Sequence, residues 1–251
     1  MNNASTVFSP KIIVRPDAQA ASLEAANVLA SAIRQQPNIV LGLATGGTPV
    51  QMYAELIRQH GEGDLDFSRV TTFNLDEYIG LAADHPQSYR TFMQRRLFDS
   101  VNVEAGNTHL PDGLTTDPVQ CAREYEARIA AAGGIDLQLL GIGENGHIAF
   151  NEPHSTADSR TRVVQLTDST IANNARFFAS RDEVPRTAIT MGIGTILEAK
   201  RVVLLATGSH KAEAIRRTVH GPPSDDHPAS LLQTHANVTL VLDEEAASGI
   251  A

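Results

Sequence analysis

Short apolar runs alternate along the chain with longer stretches in which apolar residues recur at helical spacing. The runs that predict strands cover residues 12–14, 38–43, 70–75, 137–140, 162–166, 188–191, 201–206 and 238–242. Helical spacing predicts helices at residues 17–36, 50–58, 88–97, 117–132, 168–178, 193–199, 212–220 and 229–233. Runs that are apolar throughout, such as residues 38–43 and 201–206, are typical of strands in parallel sheets covered by helices.

This alternation predicts an α/β fold with an open, doubly wound, mostly parallel sheet flanked by helices on both faces, a Rossmann-like architecture. The sequence contains no internal repeat, low-complexity tract or linker that would divide it. We therefore expect a single domain over residues 1–251, a length that suits one large core.

Composition narrows the possible partners. The net charge is −9 and no basic run exceeds a pair, which argues against nucleic acid or an anionic membrane surface as a partner. The single cysteine, Cys121, excludes an intramolecular disulfide, and no Cys/His cluster indicates a zinc site. No run approaches the roughly 20 apolar residues that span a bilayer, so we expect a soluble, cytoplasmic protein.

Two strand-to-helix junctions are rich in glycine. At the first, Gly46 and Gly47 precede a helix for which Thr48 is the expected N-cap and Pro49 the first residue. Free backbone N–H groups there would suit a phosphate, although an ordinary glycine turn is an equally good interpretation. The junction lacks the Gly-Lys-Ser/Thr ending of a nucleotide-binding loop, which favours a small phosphorylated metabolite over ATP. Residues 207–211 form the second junction and end in Lys211.

Acidic residues follow the strand predicted at residues 70–75. Asp76 and Glu77 lie where the carboxyl ends of parallel strands form a ligand crevice. Adjacent side chains rarely point the same way, so we expect at most one of them to face a ligand. Without further information, both could equally be solvated or capping carboxylates.

Residues 141–153 combine three glycines with a histidine, two amides and two carboxylates directly after a predicted strand. The glycines let the backbone turn tightly, so Asn145, His147 and Glu152 could converge there. The spacing of the glycines matches a dinucleotide-binding fingerprint, but Pro153 and a non-periodic sequence leave little room for the required helix. We therefore interpret the stretch as a catalytic loop, although His147 alone could as well be packed or solvated.

Seven motifs in the same order resemble the glucosamine-6-phosphate deaminases. They are LGLATGGTP (41–49), FNLDEY (73–78), GHIAFNEP (146–153), SRTR (159–162), ARFF (175–178), GIGT (192–195) and GSHK (208–211). The resemblance implies an open α/β fold that converts glucosamine 6-phosphate and water into fructose 6-phosphate and ammonia without an organic cofactor or metal.

The resemblance also implies the catalytic groups. Asp76 matches the base that moves the C2 proton, whereas Asn145, His147 and Glu152 match the group that opens the sugar ring. An imidazole can take a proton from the anomeric hydroxyl and return one to the ring oxygen. Glu152 could orient it as a carboxylate does in a catalytic triad. Many members carry aspartate where this chain has Asn145, so we expect the amide only to form hydrogen bonds.

Phosphate binding is implied for both glycine junctions. The backbone around Gly46, Gly47 and Thr48 would supply dipoles, while Arg176 and Lys211 match positions that supply positive charge. A solvated helix arginine and a surface lysine are the alternatives for these two residues.

One departure concerns regulation. Larger members that respond to an acetylated amino-sugar phosphate have a lysine where this chain has Val164, and they extend further at the C-terminus. We therefore expect little or no allosteric activation and, if the chain forms a homo-oligomer, an assembly smaller than a hexamer.

Three alternative functions remain. A galactosamine-6-phosphate isomerase/deaminase differs only in the C4 configuration of its substrate. A 6-phosphogluconolactonase would share the fold and the Gly-His loop but needs no base at C2, which leaves Asp76 without a role. A sugar-phosphate-sensing module would bind the ligand without turnover.

Overall fold

A computed structural model describes residues 7–250. The strands are β1 (Lys11–Arg15), β2 (Val40–Leu43), β3 (Thr71–Asn74), β4 (Asp76–Tyr78), β5 (Thr108–His109), β6 (Leu137–Leu140), β7 (Arg162–Gln165), β8 (Thr187–Thr190), β9 (Val202–Ala206) and β10 (Val238–Asp243). The α-helices are α1 (Ala18–Gln35), α2 (Val50–Gly61), α3 (Tyr89–Arg96), α4 (Pro118–Ala131), α5 (Asp168–Asn174), α6 (Ile193–Leu197), α7 (Ala212–His220) and α8 (Glu244–Ala247).

The main sheet has seven parallel strands in the order β1-β10-β9-β6-β2-β3-β5. This confirms the predicted mostly parallel sheet flanked by helices, and the apolar strands β2, β6 and β9 are buried along their whole length. After β2 the chain continues to the neighbouring β3 on one side, whereas after β6 it reaches β9 on the other. Such a reversal opens a crevice at the carboxyl ends of the two central strands.

A second, antiparallel sheet corrects the prediction for two strands. β7 and β8 were expected in the parallel sheet, but they form a separate sheet in the order β4-β8-β7. The reason is β4, a polar segment without a strand-like pattern that pairs with β8 so that Asp76 lies opposite Thr190. Leu75 is the single residue between β3 and β4, and it bonds to both sheets through Leu43 O (3.1 Å) and Met191 N (2.7 Å).

Helix starts agree with the sequence where a side chain caps the helix. Ser88 accepts a hydrogen bond from Thr91 N at 3.0 Å, so this predicted cap of α3 is confirmed. The prediction for Thr48 is wrong, because Pro49 itself occupies the cap position of α2 with near-helical angles and no side-chain cap bond forms.

The helix predicted at residues 168–178 also differs in detail. Asp168 is not its cap, because the preceding Thr167 keeps an extended backbone and accepts a hydrogen bond from Thr170 N at 3.2 Å. The α-helix ends at Asn174 and continues as a 3₁₀ turn, Ala175–Phe177. Likewise, the short helix predicted at residues 229–233 is a 3₁₀ helix, Pro228–Thr234.

Helix packing holds the crevice edge of the sheet in place. Tyr125 of α4 is buried and donates its hydroxyl to Asn74 O at 2.7 Å, at the end of β3. Tyr53 of α2 does the same for Ala44 O at 2.6 Å, directly after β2. Both phenols therefore fix carbonyl groups where the strands open into loops. No helix between residues 7 and 250 has the length and apolar character needed to cross a membrane.

Candidate active site

A cleft of about 260 Å³ opens at the carboxyl ends of β2, β3, β6 and β9. Its walls are the loop after β2, Asp76, the loop after β6, the junction before α7 and one side of the segment that contains α5. Asp76 and His147, which the sequence assigned to one reaction, line this same cleft. The reversal of chain direction between β2 and β6 places the cleft where open α/β sheets bind ligands.

The neighbouring carboxylates Asp76 and Glu77 point in different directions. Glu77 accepts hydrogen bonds from the backbone N–H groups of Tyr78, Tyr89 and Arg90, each at 2.9 Å, and so holds the first turn of α3. Asp76 faces the cleft, and no hydrogen bond to its carboxylate is found among the described residues. Burial, together with the nearby charge of Glu77, raises the pKa of Asp76 well above its ordinary value. Such a carboxylate binds a proton strongly.

The loop after β6 folds back on itself. Gly146 N bonds to Gly143 O at 3.0 Å and Gly143 N bonds to His147 O at 2.9 Å. A Cβ atom on Gly143 would lie only 2.2 Å from Cε1 of His147, so glycine is needed for the imidazole to occupy this place. Ala149, which also lines the cleft, has a φ of +52°, a left-handed conformation that is uncommon outside glycine.

Asn145 lies between His147 and Glu152. Its Oδ1 is 2.7 Å from His147 Nδ1, and its Nδ2 donates to Glu152 Oε2 at 2.7 Å. Because an amide oxygen only accepts, the imidazole must carry its proton on Nδ1. The other ring nitrogen, Nε2, then keeps a free lone pair for a ligand in the cleft. The amide thus fixes the tautomer that a general base requires.

Glu152 is surrounded by donors. His147 Nδ1 lies 3.5 Å from its Oε2, while its Oε1 accepts hydrogen bonds from Thr167 at 3.1 Å and from Thr170. Burial favours the neutral acid, but the contacts from His147, Thr170 and Asn145 outweigh it and lower the pKa of Glu152 to about 2. Glu152 is therefore a permanent anion behind the imidazole at neutral pH.

The residues predicted to bind phosphate all line the cleft. Gly46, Gly47 and Thr48 line it, and Gly46 has a φ of +96° that a side chain would strain. Arg176 and Lys211 line the same cleft. Burial lowers the pKa of the Lys211 ammonium, the nearby Glu144 carboxylate opposes this, and the charge of Arg176 adds to the lowering.

A buried carboxylate supports the lysine junction. Asp243 at the end of β10 accepts two hydrogen bonds from Gly208 N, at 3.0 and 2.9 Å, and caps α8 through Ala246 N at 2.8 Å. Gly208 has a φ of +89°. The last strand therefore sets the conformation of the turn that carries Lys211.

Several residues of the site have no clear signal in the sequence. Thr167 could have been found as an N-cap before an apolar helix, but its bond to Glu152 and that of Thr170 depend on the folded loop. Tyr89 lines the cleft from α3, and Asn174 bonds to Tyr78 Oη at 2.9 Å. These contacts join elements that are distant in sequence.

A possible cation site lies elsewhere. Among the residues that the structure describes, His154, Asp225 and Asp226 form a group whose ligand atoms are mutually close, and all three are exposed. None of them lines the cleft. His154 Nδ1 is 3.1 Å from an Asp226 oxygen, so the arrangement is accounted for by an ordinary surface ion pair.

The sequence matches one family along most of its length. A family model described as glucosamine-6-phosphate isomerases/6-phosphogluconolactonase matches residues 17–241. Glucosamine-6-phosphate deaminase from Rhodopirellula baltica is 57% identical over 238 residues, covering 95% of both chains. Glucosamine-6-phosphate deaminase from Thermoanaerobacter pseudethanolicus is 51% identical over 238 residues, covering 95% of this chain and 94% of that one.

Solved structures separate two kinds of neighbour. A structure described as a monomeric glucosamine-6-phosphate deaminase has a TM-score of 0.93 and 46% identity, covering 95% of this chain and 99% of that one. A 6-phosphogluconolactonase from Trypanosoma cruzi has a TM-score of 0.78 and 22% identity, covering 99% of this chain and all of that one. The second likeness shows a shared fold.

Proposed function

Because the chain belongs to the family of glucosamine-6-phosphate isomerases and 6-phosphogluconolactonases, we propose that it is a glucosamine-6-phosphate deaminase. The reaction converts glucosamine 6-phosphate and water into fructose 6-phosphate and ammonia. The observation that carries the proposal is that a carboxylate of raised pKa, Asp76, and an imidazole of fixed tautomer, His147, face one cleft. A lactonase would need no base at C2, so Asp76 would have no function in it.

Ring opening comes first. His147 Nε2 takes the proton of the anomeric hydroxyl and delivers it to the ring oxygen as the C1–O5 bond breaks, which yields an open-chain aldehyde. The imidazolium that exists between these two transfers is stabilised by the Glu152 anion 3.5 Å from Nδ1. Asn145 keeps the imidazole of His147 in one orientation during both proton transfers.

Isomerisation and loss of the amine follow. Asp76 removes the C2 proton of the aldehyde, the electrons of that C–H bond form the C1=C2 bond, and the carbonyl electrons move to O1 to give an enolamine. Returning the proton to C1 lets the nitrogen lone pair form the C2=N bond, and one proton passes from nitrogen to O1, which gives a ketimine with a C1 hydroxyl. Water then adds to the C=N bond and releases ammonia. The raised pKa of Asp76 favours the first transfer, because a stronger base takes a carbon-bound proton with a smaller energetic penalty.

Phosphate recognition orients the sugar in the cleft. The backbone of residues 46–48 would contact the phosphate oxygens at the start of α2, where the helix dipole is positive. Arg176 suits a bidentate contact and Lys211 a point charge. Burial lowers the pKa of Lys211, and a bound phosphate dianion would oppose this lowering by stabilising the charged ammonium.

Further parts of the proposal concern the setting of the reaction. It needs no organic cofactor or metal, since side chains supply each proton transfer. We place the reaction in the cytoplasm, where phosphorylated amino sugars are retained by their charge.

We also propose that the chain forms one domain, because β1 and β10, from opposite ends of the sequence, pair directly. Because Val164 stands where the larger, effector-responsive members have a lysine, we propose little allosteric activation and an assembly smaller than a hexamer.

An ammonia-release assay tests the proposal. Purified protein is given glucosamine 6-phosphate, its galacto epimer and 6-phosphogluconolactone, and ammonia, fructose 6-phosphate and acid release are followed in parallel. We expect ammonia and fructose 6-phosphate in equal amounts from the gluco substrate. A faster reaction of the galacto epimer would reassign the substrate, and hydrolysis of the lactone alone would contradict the proposal. Binding of the sugar phosphate without turnover would indicate a sensing module.

A further inference from the structure

Residues 167–176 run from the proposed ring-opening group to Arg176 in the wall of the cleft. Near the start of this segment, the hydroxyl groups of Thr167 and Thr170 donate to Glu152 Oε1, behind the ring-opening imidazole. At its other end, Arg176 lines the cleft where the phosphate is expected. One short element thus connects Glu152, which supports the imidazole proposed to act at C1, with Arg176, the cation proposed to bind the phosphate at the other end of the sugar.

We propose that Thr170 is a positioning residue that couples occupation of the phosphate subsite to the ring-opening relay of Asn145, His147 and Glu152. The inference rests on the proposed function, since it assigns a role to a side chain within that same site. Thr170 does not react with the substrate; it acts through Glu152.

The donor set of Glu152 explains why Thr170 matters. One oxygen, Oε2, is occupied by Asn145 and His147, so the orientation of the carboxylate depends on what holds Oε1. Thr170 is buried and lines the cleft, whereas Thr167, which donates to Oε1 at 3.1 Å, is exposed. The Thr170 backbone N–H also donates to Thr167 Oγ1, so the first turn of α5 carries both donors. A shift of this turn would move both donors away from Glu152.

The other end of the segment is held more loosely. Arg176 is exposed, with its guanidinium carbon 4.7 Å from the centre of the Phe177 ring, and residues 175–177 form a 3₁₀ turn. Asn174 attaches the segment to β4 through Tyr78 Oη at 2.9 Å. A phosphate bound by Arg176 would add a charged contact at this end and so restrict the whole segment. Binding energy at the phosphate would thereby be used to orient the relay at C1.

A double-mutant cycle tests the coupling. Ammonia release from glucosamine 6-phosphate is measured for Thr170→Val, Arg176→Gln and the double variant. Losing a hydrogen bond to a charged group should lower kcat/KM by roughly tenfold for Thr170→Val alone, mostly through kcat. In the Arg176→Gln background the same change should cost less than about threefold, because the coupling is already broken. Thr170→Ser, which keeps the hydroxyl, should restore most of the activity.

A matched control separates coupling from general destabilisation. Thr195 also donates its hydroxyl to a partly buried carboxylate, Glu126 Oε1 at 2.6 Å, but it does not line the cleft. Thr195→Val should change kcat/KM by the same factor in both backgrounds. If Thr170→Val fails to fold, Thr170→Ala removes the same hydroxyl with less steric conflict and replaces it in the cycle.

The outcomes distinguish the two proposals. Equal losses for Thr170→Val in the wild-type and Arg176→Gln backgrounds would overturn the coupling while leaving the deaminase activity intact. An inactive Thr170→Ser variant that folds would also overturn it, since the hydroxyl would then not be the relevant group. A wild-type protein that releases no ammonia would contradict the proposed function itself.

Discussion

The small strand β4 presents Asp76 at the cleft, whereas the loop after β6 holds Glu152 behind His147, and the two carboxylates are held in opposite states. Asp76 is buried with no hydrogen-bond donor found among the described residues, and its pKa is raised. Glu152 is also largely buried, but Asn145, His147, Thr167 and Thr170 surround it and its pKa is lowered to about 2. Burial alone thus does not decide the charge of a carboxylate; the supply of donors does.

This contrast in pKa supports the roles proposed for Asp76 and Glu152. A carboxylate that holds a proton strongly is suited to take one from carbon, whereas a carboxylate that stays ionised is suited to stabilise an imidazolium. The sequence shows both side chains but does not show that their pKa values differ, because the donors to Glu152 come from a loop, a helix cap and a helix. Environments that push the pKa values of two acids apart are a recurrent feature of sites that use acid and base chemistry at one pH.

Asp76→Asn should have the largest effect on kcat among these variants, because it removes the proposed base. The amide has the same shape but cannot accept the C2 proton, so kcat should fall by roughly 10³-fold, while ring opening continues. Ammonia release measures the loss, and deuterium incorporation at C2 in heavy water should disappear with it. Asp136→Asn is the matched control, because Asp136 is also a buried aspartate, but it bonds to Val40 N and Lys200 Nζ and does not line the cleft. A loss of less than tenfold in Asp76→Asn would argue against Asp76 as the base.

Glu152→Gln should have the next largest effect and acts on stability as well. The amide cannot accept all the donors that face it, so kcat should fall by roughly 10- to 100-fold. Because its pKa falls from 4.5 to about 2 on folding, Glu152 stabilises the fold by on the order of 2 kcal/mol, after allowing for partial solvent screening. That contribution is fully present above about pH 5 and is lost as the pH falls towards 2.

Urea unfolding at pH 7 and at pH 3 measures this contribution. Glu152→Gln should be destabilised at pH 7, and its deficit should shrink at pH 3. Asp76→Asn should behave in the opposite way and be more stable than the wild type at pH 7, because a carboxyl of raised pKa opposes folding once the pH exceeds its ordinary value. Two changes of the same sign at pH 7 would contradict the comparison.

Asn145→Asp should have the smallest effect and sharpen the comparison. The new carboxylate would lie about 2.7 Å from Glu152 Oε2, and two negative charges at this distance would repel each other strongly. One of the pair should then hold a proton to higher pH. We expect kcat at the optimum to change by less than roughly tenfold, with an acid limb of the pH–rate profile that moves to higher pH. An unchanged profile would indicate that Asn145 does not take part in the relay.

Much of the main sheet could be predicted from the sequence. The apolar runs at residues 38–43 and 201–206 contain β2 and β9, which are buried along their whole length, so their composition already indicates strands. β4 has no such pattern, because Asp76 and Glu77 are buried through pairing with β8 and bonds to α3 rather than through apolar character. Pairings of this kind depend on contacts between distant residues, which periodicity does not encode.

The sequence names the side chains proposed for the candidate site, but it does not give their arrangement. Motifs identify Asn145, His147 and Glu152 as a group, yet only the fold shows that the amide lies between the other two. The caps show the same limit, since Pro49 rather than Thr48 occupies the cap position of α2, and Thr167 rather than Asp168 occupies that of α5. Neighbouring residues can both satisfy a capping rule, and tertiary packing chooses between them.

The position of Leu75 between two sheets has a consequence for heat inactivation. Its two backbone bonds, to Leu43 and to Met191, make the neighbouring Asp76 depend on the small sheet as much as on the large one. Warming that separates only the small sheet would displace Asp76, the proposed base, while most of the backbone remains folded. The temperature at which half the activity is lost should therefore lie below the temperature at which the molecule melts.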